Sequence, residues 1–193
     1  MNETFSKKNT RKRHVHRDMP SSPILDYYRG EGTDQSNRTL RDVWNFSFQK
    51  LEQVHDYIQW LFPTSQRSVF NDNAPVLTLF DKMEFSNIFV YRKHLNRSLD
   101  VMLKFYGLER HHTNGRIVVH RNPVTFRERS EVWLHPRNHN FFRLSRILRS
   151  LRELDMKENA EALYRCLMEE LYPLYTREIG ESVKYWKIAY RNS

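Results

Sequence analysis

The chain reads as an all-α protein, a compact bundle of about five to seven amphipathic helices. Three observations carry that expectation. From residue 24 onward, apolar side chains recur at spacings of three and four, the period of a helix with one buried face. The 193 residues include only 5 Gly and 7 Pro, too few for the many tight turns of a β-sandwich. Hydrophobic residues make up 39%, with 12 Phe, 10 Tyr and 4 Trp, which is ample core material beside 28% charged residues.

The elements follow in order. Leu51, Val54, Ile58 and Leu61 predict one helix that Pro63 ends. Thr78, with Asp81 three residues on, opens the next element after Ala74-Pro75-Val76-Leu77. A long amphipathic helix then places Ile88, Tyr91, Leu95, Leu99, Met102 and Tyr106 on one stripe, with Gly107 as its cap. Residues 108–130 are polar and turn-rich, and the run Ile117-Val118-Val119 predicts a short hairpin near 116–126. Within 138–154, Phe141, Leu144, Ile147, Leu148, Leu151 and Leu154 share one face. Asp155 and Glu158 predict a capping box for a helix carrying Ala160, Leu163, Tyr164, Leu167, Met168 and Leu171. After Pro173, Thr176 is expected to cap a last helix with Ile179, Val183, Trp186 and Tyr190.

Charge divides the chain. Net charge is +9. Lys7, Lys8, Arg11, Lys12, Arg13 and Arg17 outweigh Glu3 and Asp18 by four charges within residues 1–18. Residues 1–23 are therefore expected to be a disordered basic arm, and 24–193 the helical domain. Such an arm can act as a nuclear localisation signal, a polyanion-binding tail or a solubilising one. The basic balance admits nucleic acid, anionic membrane and acidic proteins as partners without choosing among them. No apolar run approaches the roughly 18 residues of a membrane-spanning helix. The N-terminus lacks a secretory h-region. The single Cys166 excludes an intramolecular disulfide, so an intracellular location, nuclear or cytoplasmic, is expected.

A resemblance narrows these classes. Residues 51–63 read Leu-Glu-Gln-Val-His-Asp-Tyr-Ile-Gln-Trp-Leu-Phe-Pro, which is similar to the signature of the opioid growth factor receptor family. Tyr27-Tyr28-Arg29-Gly30, Pro75 through Thr78, Leu103-Lys104-Phe105-Tyr106-Gly107, His139-Asn140 and 143–151 resemble further family segments. The likeness spans about 27–172, the folded part. It implies a non-enzymatic, receptor-type binding module whose vertebrate namesake takes the pentapeptide met-enkephalin and associates with the nucleus. A peptide or protein is thus the expected ligand. No long acidic or repeat-rich segment follows the shared region, so functions housed in such an extension are not expected of this chain.

Candidate ligand-binding residues are Tyr28, Arg29, Glu52, His55, Gln59, Trp60, His139 and Asn140. Glu52, His55 and Gln59 fall on one face if 51–61 is a single helix. They are expected either to hydrogen-bond a neighbouring helix, through His139 or Asn140, or to bind ligand. Trp60 with Tyr27 and Tyr28 reads as core or as the wall of an aromatic-peptide groove, with Glu52 set to receive an N-terminal ammonium. A second reading uses Arg143, Arg146, Arg149 and Arg152, opposite the apolar stripe of their helix, as a phosphate-contacting face for nucleic acid. Solvation and pairing with acids is the alternative for that face.

Glu52-x-x-His55 is half of a di-iron ligand set whose second copy is missing, and His135 and His139 lack the glutamate of His-Glu-x-x-His, so no metal or other cofactor is expected. No phosphate-cradling glycine loop or nucleophile elbow is present, and Cys166 has no histidine nearby in sequence, so no enzyme activity is expected.

Overall fold

Ser22 and Pro23 open the first helix rather than closing the arm. In the computed structural model, which describes residues 22–191, α1 is Pro23–Arg29. The Ser22 hydroxyl accepts the Leu25 N–H at 3.1 Å, and Gly30 at φ 84° ends the helix. The remainder of the expected arm, 1–21, lies outside the described residues. Helix α2 (Leu40–Trp44) starts on a capping box between Thr39 and Asp42.

The single helix expected over 51–61 is two pieces, α3 (Phe48–Gln53) and α4 (Ile58–Leu61). Val54 is extended, at φ −90° and ψ 131°. The helix stops because its last carbonyls find other donors: Leu51 O accepts the Tyr57 hydroxyl at 3.0 Å and the Arg143 guanidinium at 2.8 Å.

Thr78 and Asp81 do form a capping box, for α5 (Leu79–Asn87). Extended Ile88 then separates α5 from α6 (Phe89–Tyr106), which Gly107 ends at φ 72°. A Cβ at Gly107 would lie 2.7 Å from Phe126 Cα, so the residue answers both a left-handed backbone and a close approach. The hairpin sits earlier than expected. Strands β1 (Leu108–Thr113) and β2 (Arg116–Arg121) pair antiparallel, Leu108 opposite Arg121 and Thr113 opposite Arg116. Their turn is Asn114-Gly115, both with positive φ, the arrangement that fits the strand twist.

Helices α7 (Phe126–Trp133) and α8 (Asn140–Glu153) follow. The expected capping box at Asp155 is absent. Asp155 stands at φ 58° and Met156 is the residue before α9 (Lys157–Arg165), with no side-chain cap. A π-helical turn, Cys166–Leu171, extends α9. The last segment is α10 (Thr176–Ile179), a 3-10 turn (Gly180–Ser182) and α11 (Val183–Arg191). Thr176 is inside the first turn and donates back to Tyr172 O at 2.7 Å, so it does not cap.

The molecule is mostly helical, with that hairpin as its only sheet among the described residues. Helix α8 runs through its centre. The apolar stripe of Phe141, Leu144, Ile147, Leu148 and Leu151 is at most 1% exposed and meets α9 and α11. Trp186 Nε1 donates to Phe141 O at 3.0 Å. Among the described residues, no helix is long and apolar enough to cross a membrane.

Candidate functional site

The other half of α8 holds the segment 51–66. Arg143, 5% exposed, donates to Leu51 O at 2.8 Å and to Val54 O at 2.7 Å. One turn on, Arg146 Nε donates to Phe62 O at 2.8 Å, and Ser150 donates to Pro63 O at 2.7 Å. Arg149 bonds Gln66, and Arg152 lies 5.2 Å over the Tyr190 ring. Of the arginine face expected for phosphates, Arg143 and Arg146 are thus packed into a seam, while Arg149 and Arg152 stay partly exposed at its edge. Their positions on the helical wheel are as read, but a broken segment with orphan carbonyls covers that half, and guanidinium donors are what such carbonyls require. Burial, with repulsion from Arg149, brings the Arg146 guanidinium down to about 10. Glu153, at the end of α8, takes Lys82 at 2.9 Å and the Ser65 N–H at 2.8 Å.

At the N-terminal end of α8 this seam reaches the surface. Asn140 Nδ2 donates to Glu52 Oε2 at 2.9 Å, and the Glu52 carboxylate lies 3.5 Å from His139 Nε2. The His55 and His139 rings meet edge to face with centroids 4.9 Å apart. Arg143 Nη2 is 3.2 Å from His55 Nδ1, and since guanidinium only donates, that nitrogen accepts and the ring proton sits on Nε2. His139 is held below its usual range mainly by burial, then by the Arg143 charge, with Glu52 opposing both. Glu52 and His139 keep side-chain exposures of 24% and 39%, so one edge of the cluster faces solvent. Among the described residues, no three His, Cys, Asp or Glu side chains converge as a metal site requires.

Four of the eight residues read as ligand-binding therefore come together: Glu52, His55, His139 and Asn140. The pairing of Glu52 with His139 and Asn140 is the one expected, made across the break instead of from an unbroken helix face. The other four do not join them. Tyr28 is fully buried, its hydroxyl on Leu61 O, and Trp60 packs edge to face on buried Tyr27 at 5.4 Å. Gln59 is 4% exposed. Arg29 is spent on Asp26 and Glu31. The aromatic groove wall of Tyr27, Tyr28 and Trp60 is core, because these large rings fill the contact between α1 and α4.

Sequence reasoning missed a surface beside the cluster. Phe142, 47% exposed, lies one turn from His139 on α8 and carries Phe70 on one side at 6.2 Å and Tyr185 on the other at 5.3 Å. Val69, next to Phe70 in sequence, and Ile188, three residues beyond Tyr185 on α11, are also exposed, at 84% and 45%. A connected row of exposed aromatics is uncommon on a surface that has no partner. It was detectable only in part: Phe142 falls outside the apolar stripe of α8, while Phe70 comes from an aperiodic loop.

These features define a basic helical module whose surface sets an acid–histidine cluster beside apolar rings. The chain matches the conserved region of the opioid growth factor receptor over residues 24–192 and belongs to that family. It is 35% identical over 150 residues to the mouse (Mus musculus) opioid growth factor receptor, covering 76% of this chain and 23% of that protein. The human (Homo sapiens) receptor is 33% identical over 153 residues, 77% of this chain and 22% of the relative. Opioid growth factor receptor-like protein 1 of Xenopus tropicalis is 35% identical over 131 residues, 68% and 25% respectively. The matched region thus spans about a quarter of these relatives. No solved structure matches the chain.

Proposed function

We propose that this domain is a non-enzymatic binding module for a peptide or protein ligand, received where Glu52 and His139 adjoin the row of Phe70, Phe142 and Tyr185. The observation that carries this reading is the row itself, with Phe142 one helical turn from His139, whose ring edge meets the partly exposed Glu52 carboxylate at 3.5 Å. Glu52 offers a partner for an N-terminal ammonium, and the rings offer stacking partners for aromatic side chains. The receptor names of the relatives point the same way, which makes met-enkephalin, with an amino terminus and two aromatic residues, the first ligand to try. The basic cluster at Lys7–Arg17 supports a nuclear location, testable by fusing residues 1–20 to a fluorescent reporter.

The binding test is calorimetric titration of the full chain with met-enkephalin against a scrambled peptide. Saturable binding of the authentic peptide is expected, weakened roughly tenfold or more by Glu52→Gln and by Phe142→Ser, in line with loss of a charge-assisted bond or an apolar anchor. Both side chains are partly exposed, so thermal unfolding should show either variant close to the parent. Unchanged affinity in both variants rejects this surface as the site. No binding of any peptide turns the search toward protein ligands, with the same two variants as controls.

A further inference from the structure

Between α2 and the first half of α6 lies a cleft of about 440 Å3 lined by Arg41, Trp44, Asn45, Lys93, His94 and Arg97. Three of these six side chains are permanent cations and none is an acid. The carboxylates nearest in sequence are engaged elsewhere. Asp42 accepts from the Thr39 N–H and hydroxyl, and Asp100 pairs with Arg110 at 2.9 Å. Among the described residues, Arg41, Lys93 and Arg97 form no ion pair. Uncompensated like charges on a shared concave surface repel one another, and that repulsion is relieved by an anion.

The walls are already ordered. The Arg97 guanidinium lies 4.6 Å over the Trp44 ring. Trp44 Nε1 donates to Ser98 Oγ at 2.9 Å, which anchors the indole to α6. His94 stands edge-on to the same indole at 5.3 Å. His94 Nδ1 is 2.6 Å from Tyr28 O, and because a carbonyl only accepts, Nδ1 carries a proton and Nε2 is left for the cleft. A guanidinium stacked on a fixed indole loses little freedom when it binds, which is the condition for a selective anion site.

We propose that this cleft binds a small phosphate monoester, its phosphoryl group held among Arg41, Lys93 and Arg97 and its carrier ring against the exposed edge of Trp44. Three cations suit a dianion, and the planar forks of two arginines match phosphate oxygens in pairs. The three cations line one open cleft of small-ligand size, whereas a polynucleotide backbone needs cations spread along a groove.

Tryptophan fluorescence of the full chain provides the test, because Trp60, Trp133 and Trp186 are buried and only Trp44 is half-exposed. AMP, inorganic phosphate and a single-stranded oligonucleotide are titrated separately. AMP should give a saturable change and bind more tightly than inorganic phosphate. Lys93→Gln and Arg97→Gln should each weaken AMP about tenfold, as expected for losing one charge-assisted bond. Arg165→Gln, an exposed arginine paired with Glu169, should leave it unchanged. Trp44→Phe should abolish the signal while calorimetry still detects AMP. Absence of saturation overturns the proposal. So does equal weakening in Arg165→Gln, which means general charge attraction. An oligonucleotide that binds more tightly than AMP and is insensitive to Lys93→Gln overturns it in favour of a polynucleotide track.

Discussion

Replacing Arg143 with methionine removes the donor that closes the gap between α3 and α4. The parent guanidinium makes two short bonds, 2.8 Å to Leu51 O and 2.7 Å to Val54 O, and longer ones of 3.2 Å to Asn140 Oδ1 and His55 Nδ1 and 3.4 Å to Glu52 O. At 5% exposure, water cannot readily take its place. A hydrogen bond to a charged group contributes about 1.5–3 kcal/mol, and a carbonyl left buried and unpaired costs about 1–3 kcal/mol. Methionine refills part of the side-chain volume but leaves Val54 O without this donor, while Leu51 O keeps only the Tyr57 hydroxyl. The expected loss is about 2–4 kcal/mol, from the lost charged hydrogen bonds and one carbonyl left without a donor. For a domain of this size that corresponds to a fall of roughly 10 °C in midpoint temperature. Urea denaturation followed by circular dichroism measures it, with the slope checked for two-state behaviour. Arg143→Lys keeps the charge but reaches only one carbonyl at a time, so it should recover less than half. A loss below about 1 kcal/mol in Arg143→Met, the level of a solvated surface change, would falsify the account of α8 as the support of that gap.

Three further expectations follow from the same structure. The proton affinity of His139 is lowered in the fold from its ordinary 6.5, chiefly by burial, so the unfolded chain binds the proton more tightly. Its contribution to stability is complete above that pH and declines as pH falls below it, so His139→Gln should flatten the plot of midpoint temperature against pH on the acid side; an unchanged slope refutes this. Gly107→Ala forces a left-handed residue to carry a Cβ 2.7 Å from Phe126 Cα, and should cost about 2–4 kcal/mol by chemical denaturation. Cys166 is 2% exposed and burial pushes its thiol well up, so a thiol reagent should label it only at the rate of unfolding. Labelling at the rate of a free thiol contradicts that burial.

What was legible from the residues alone divides along physical lines. Helices α6, α8 and α9 announce themselves because each buries a stripe against the core, and such a stripe is a local pattern. The Thr78–Asp81 box and Gly107 are local too, and both stand where the sequence predicts them. The break at 54–57 was not legible, because its donor, Arg143, lies 92 residues from the Leu51 carbonyl it serves. The same cause hid the role of the α8 arginines: a wheel shows which half is polar and not what packs there. The hairpin lies earlier than the β-branched run of β2 alone suggests, because its turn is Asn114-Gly115 and its first strand, Leu108–Thr113, is polar. In the candidate site, the link of Glu52 with His139 and Asn140 was anticipated from residue chemistry. The row of Phe70, Phe142 and Tyr185 was not, since exposed rings joined from three separate segments leave no periodic trace.

The seam between α8 and 51–63 also orders the events of folding. Its bonds close loops of 84 to 92 residues, so they form only after a large loss of chain entropy. Contacts of such long range slow folding relative to helical bundles whose neighbours in sequence are neighbours in space. On the ribosome, α3 and α4 emerge long before the arginines that satisfy their carbonyls. The amino-terminal half therefore waits, unfinished, for residues 143–150 to be made.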